Sequence, residues 1–208
     1  MRVFRIGRRQ LLGAVCALAL ATPALAEDEL VNQINEAVKL YKQGQFSEAA
    51  SELDLAAQQI RMKQGDQLKN IFPEALTGWK AEAAEASAAG AAMMGGGITS
   101  SRRYVKEARG EDGSPEVHID LIKDSPVIAS LVMLIQNPAY MGAAGGKSIK
   151  VGTYRGMLQQ EGGEQNLQLV VANKVLLSVK GQSGASEADV MAYAKKINFS
   201  LLEKLCAQ

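Results

Sequence analysis

Apolar side chains at Val31, Ile34, Val38 and Tyr41 recur every three or four positions, stop at Lys42-Gln43-Gly44-Gln45, and resume at Phe46, Ala49, Ala50, Leu53, Ala57 and Ile60. A helix brings residues three and four apart onto one side, so this spacing predicts two amphipathic helices. Gly44 takes the left-handed turn that ends a helix without a side-chain clash. Small side chains at Ala37, Ala49 and Ala56 let the helices come close, as an antiparallel hairpin. A third helix is expected from Pro73, whose missing N–H costs nothing in a first turn, through the Ala-rich stretch to Gly95-Gly96-Gly97.

Beyond the triple glycine the rhythm changes to that of strands. Residues 101–109 and 115–122 alternate, with Val117, Ile119 and Leu121 on one face and His118 and Asp120 on the other. Residues 124–141 read as a helix that begins near Ser125-Pro126, is apolar over most of its circumference, and is therefore expected to be deeply packed. Pro138 ends or kinks it. Three strands follow, at 148–159, 165–172 and 174–181, the last two joined by a tight turn at Asn173-Lys174. A closing helix starts at Ser186, with Asp189 placed to complete a capping box.

The predicted fold class is α+β. An N-terminal helical hairpin and an Ala-rich helix precede an antiparallel sheet of about five strands in the order β-β-α-β-β-β-α, with the helices on one face. The expected organisation is a leader at 1–26, a helical region at 27–97 and an α+β domain at 98–208.

Ala37, Leu40, Tyr41, Gly44, Phe46, Ala49, Leu53 and Ala56 stand at the spacings of a tetratricopeptide repeat, and residues 30–63 resemble a single such helical hairpin. Gln33 replaces the early Trp of that family and Arg61 its closing Pro. The resemblance implies a packing hairpin with Tyr41 and Gln45 on a surface able to receive a protein partner. One unit lacks the concave surface that stacked repeats provide.

The N-terminus changes the picture. Arg2, Arg5, Arg8 and Arg9, an apolar run from Leu11 to Leu20 and the small-residue site Ala24-Leu25-Ala26 read as a secretory signal peptide. The Arg8-Arg9-Gln10-Leu11-Leu12 portion resembles a twin-arginine signal, so the periplasm is the expected location by that route or the general secretory one. Cleavage leaves no transmembrane segment and removes four arginines, leaving 19 basic against 22 acidic residues, a net charge of −3. That balance, with 5% aromatic residues, gives no footprint for nucleic acid. Cys206 is the one cysteine left, so no internal disulfide can form.

Catalytic signals are sparse. His118 is the single histidine and lies on a predicted strand, with Asp120 about 7 Å along it. The stretch from Gly142 to Ser148 has a phosphate-loop flavour, but its glycine register is wrong and it follows a helix instead of a strand. Adjacent Met93 and Met94 point about 100° apart on a helix and do not share a metal ion. No cofactor is expected. Lys147, Lys150 and Arg155, with Arg102 and Arg103, form a basic group able to meet an acidic partner.

The leading expectation is an exported soluble accessory or protein-interaction protein without catalytic activity, whose partner is another periplasmic or envelope protein. Its alternative is a carrier of a small apolar ligand, in room left by the Gly- and Ala-rich stretches 88–97 and 141–146. A hydrolase using scattered carboxylates ranks third.

Overall fold

In a computed structural model of the chain, residues 24–87, 97–107 and 113–207 are described. Residues 1–23 of the expected leader, Met93 and Met94, and the end of the expected Ala-rich helix lie outside them. The chain divides into two compact units, Met1–Leu53 and Asp54–Gln208.

In the first unit α1 (Ala24–Lys42) and the start of α2 (Phe46–Leu68) form the helical hairpin. Gly44 turns the chain at φ +79°. Gln45 N donates to Leu40 O at 3.0 Å, and Gln45 O accepts from Ala49 N at 3.0 Å to open α2. Ala37 and Ala49 are buried, and Gln33 Nε2 donates to Glu52 Oε2 at 3.1 Å. The expected apolar stripe is not in this seam: Val31, Val38, Tyr41, Phe46 and Leu53 are 45–64% exposed. Close approach follows Ala37, and its neighbour Val38 points about 100° away around the helix.

The second unit holds the rest of α2, a 3-10 turn at Lys69–Ile71, and one antiparallel sheet. Its strands are β1 (Trp79–Ala81), β2 (Glu85–Ser87), β3 (Ile98–Lys106), β4 (Glu116–Lys123), β5 (Gly146–Val151), β6 (Tyr154–Glu161), β7 (Glu164–Val171) and β8 (Val175–Gln182). The order is β1-β3-β4-β8-β7-β6-β5, with β2 also paired to β3. Among the described residues the sheet thus has eight strands where about five were expected.

Two differences account for the count. The expected single strand at 148–159 is a hairpin, because Gly152 at φ +59° lets Val151 and Tyr154 pair across a two-residue turn. The expected start of the Ala-rich helix is extended instead. Tyr104 Oη and Arg102 Nη1 donate to Pro73 O at 2.7 and 3.1 Å, and the chain then supplies β1 and β2 to the edge of the nine-residue β3. Ladder pairing and burial of Trp79 outweigh the helix propensity of alanine.

The helices cover both faces of the sheet, not one. Leu167, Leu169, Val171, Leu177 and Val179 point into the main core with α5 (Glu187–Ala194) and α6 (Phe199–Cys206). On the opposite face Met157 and Val170 meet Ile135 of α3 (Val127–Gln136) and Met141 of α4 (Pro138–Ala143). Pro138 ends α3 and starts α4, capped by Asn137 Oδ1 accepting from Ala139 N at 3.1 Å. α3 is one-sided and not deeply packed: Ile128 is 2% exposed and Met133 70%. Ser186 and Asp189 form the expected capping box of α5.

Candidate functional site

Tyr41 and Gln45 lie at the hairpin end of the first unit, both exposed. The Tyr41 ring meets Phe46 edge-on at 5.4 Å, which fixes two large apolar side chains beside the Gly44 turn. With Val38 and Leu53 they leave an oily surface on a unit whose buried seam is mostly alanine.

In the second unit the basic group is divided by strand parity. Side chains three apart on β5 face opposite ways, so Lys147 reaches α5, where it pairs with Glu187 at 3.2 Å, while Lys150 turns to the α3 side. Lys150 sits directly across from Arg155 on β6, and both are exposed. Arg102 and Arg103 are adjacent and split likewise. Arg102 lies over the Tyr104 ring at 5.6 Å at the rim of the core, and Arg103 joins the outer face.

That outer face carries His118. Arg103 pairs with His118 across β3–β4, and Lys180 opposes His118 from β8. Arg103 Nη2 and Nε donate to the two oxygens of Glu116 at 2.6 and 3.0 Å, and Arg103 Nη1 donates to Glu82 at 3.0 Å. Hydrogen bonding from Arg103, then from His118, holds the Glu116 carboxyl below its ordinary range against the opposing effect of burial. His118 Nε2 lies 3.2 Å from Glu116 Oε2, and Lys180 Nζ donates to Asp120 at 3.0 Å. An open space of about 200 Å³ lies over Glu82, Arg103, His118 and Asp120. Among the described residues no serine or cysteine hydrogen-bonds to His118, and the side chains around it form a lattice of neutralised charges. Burial pushes the Cys206 thiol up, away from the thiolate form. Glu82, Glu116 and Lys180 were missed in the sequence. Parity alone groups Glu116 with His118, but the register that adds Arg103 and Lys180 is not local.

Of the stretches expected to leave room, 88–96 lie outside the described residues, and in 141–146 nothing lies within 4 Å of a Cβ placed at Gly142 or Gly145 while the space at Gly146 is filled. A Cβ at Gly146 would lie 2.5 Å from the Met157 side chain and 3.2 Å from Met141. A groove does open beside α3, about 230 Å³ in volume, with Val132, Ile135 and Val170 as apolar walls and Thr153, Arg155 and Asn173 at its polar side. Among the described residues no group of three or more metal-ligating side chains converges, and no helix is long and apolar enough to cross a membrane.

No family model matches the chain, and neither the curated proteins nor the solved structures yield a match.

Proposed function

We propose that this is an exported accessory protein that docks on another envelope protein through the oily face of its helical hairpin, with no chemical step of its own. The observation that carries the reading is the exposure of Val31, Val38, Tyr41, Phe46 and Leu53 at helical spacing. Large apolar side chains scattered singly on a surface need no explanation, but a contiguous set is a common mark of an interaction site. The tetratricopeptide-like spacing of residues 30–63 agrees with a protein-facing role, and the leader of four arginines, apolar run and small-residue site supports export.

A photo-crosslinking side chain at Val38 in the producing cell tests the reading. One discrete adduct with an exported protein is expected, lost when Tyr41→Asp and Phe46→Asp are combined and not seen with the crosslinker at Lys42. The substituted positions are exposed, so each change should cost within about 0.5 kcal/mol of stability, checked by circular dichroism. Absence of an adduct, or equal adducts from Val38 and Lys42, would refute docking. An unprocessed N-terminus recovered from the cytosol would refute export.

A further inference from the structure

We propose that the groove beside α3 binds a short aliphatic carboxylate, its chain against Val132, Ile135 and Val170 and its head on Arg155 with Lys150 alongside. The inference stands on the second unit alone and does not depend on hairpin docking.

Charge accounting within the sheet points to an anion. Every other lysine and arginine on the described strands has a carboxylate partner, at 2.6–3.7 Å. Lys150 and Arg155 have none among the described residues, although they face each other across the β5–β6 hairpin. Like charges directly opposite in a ladder destabilise it. A bound anion would remove that cost and draw on the planar fork of the guanidinium, which matches a carboxylate with two parallel hydrogen bonds.

The apolar half of the ligand follows from what adjoins the cation. Arg155 lines the same groove as Val132, Ile135 and Val170, so an anion held there has a greasy wall within reach. The space of about 230 Å³ lies below the 300–1,000 Å³ of drug-sized sites. At ~30 Å³ for a group the size of a water or methylene, it takes a chain of about eight. Thr153 and Asn173 stand at the polar side, where a carboxylate oxygen left over by Arg155 can accept a hydrogen bond.

Titrating the full chain with octanoate, followed by amide chemical shifts, tests the assignment. Saturable changes confined to α3, the β5–β6 hairpin around Lys150 to Arg155, and the end of β7 with Asn173 are expected, with a dissociation constant on the order of 1 mM for a ligand of this size. Acetate lacks the chain and octanol the charge, so each should bind at least about tenfold more weakly. Arg155→Gln should weaken octanoate about tenfold, Lys150→Gln less, and Lys147→Gln, on the opposite face, not at all. Three results would overturn the proposal: no saturation by about 10 mM, octanol binding as well as octanoate, or Lys147→Gln matching Arg155→Gln. Cosedimentation with phosphatidylglycerol vesicles that octanoate does not displace would overturn the free acid as ligand and make the surface a lipid-binding one.

Discussion

Replacing Ile128 and Met133 by alanine, one at a time, separates two accounts of α3. On composition the helix is oily all round, and both changes should be costly. In the structure Ile128 is 2% exposed and Met133 70%, so only the first removes packed atoms. Ile128→Ala deletes three carbons, which at about 0.8 kcal/mol each gives ~2.4 kcal/mol of lost transfer energy. Residual cavity raises the loss toward 4 kcal/mol or so, within the usual ~2–5 for this change. Met133→Ala stays within about 0.5 kcal/mol, helped by the higher helix propensity of alanine. For a unit of this size a loss of ~2.4–4 kcal/mol corresponds to a fall in Tm of roughly 5–15 °C. Trp79, the single tryptophan, sits 7% exposed in the main core, so its fluorescence during urea unfolding reports on this unit. Equal losses for the two variants, or a loss above about 1 kcal/mol for Met133→Ala, would refute the one-sided packing of α3.

Arg103→Gln should return the Glu116 carboxyl toward its ordinary range in a carboxyl NMR titration, since the hydrogen bond from Arg103 is the main cause of its depression. A carboxyl depressed on folding lends stability above its unfolded pKa and loses it as pH falls through the folded value, so the variant should also show a weaker loss on acidification. An unchanged Glu116 titration would remove Arg103 from that role. Gly156→Ala places a Cβ against the Leu169 side chain and the Gln168 carbonyl on β7. Overpacking of this kind should cost about 1–3 kcal/mol, read from the same fluorescence transition, and an unshifted midpoint would show that β6 and β7 are not so closely apposed.

Features set by neighbours in the chain were legible. Gly44 marked the hairpin turn, Ser186 and Asp189 the start of α5, and the alternation of 165–181 gave β7 and β8. Features set by distant partners were not. Residues 73–87 carry a helical composition, yet the open edge of β3 and the core around Trp79 decide their conformation. The amphipathic stripe of the hairpin was read from periodicity, but which angle around α1 meets α2 depends on where the backbones can approach, and that is at Ala37.

The candidate sites show the same division more sharply. That Lys147 and Lys150 face opposite ways follows from their odd spacing once residues 146–151 are taken as a strand. That Lys150 confronts Arg155 does not follow, because it depends on the turn falling at Gly152 and Thr153. Lengthening that turn by one residue would set Lys150 against Gly156 and Arg155 against Val151, and so turn the two cations to opposite faces. The unneutralised pair beside α3 is therefore a property of register, and register here rests on the turn at Gly152: Val151 and Tyr154, three apart, would face opposite ways on one continuous strand, and the turn brings both to the main-core face.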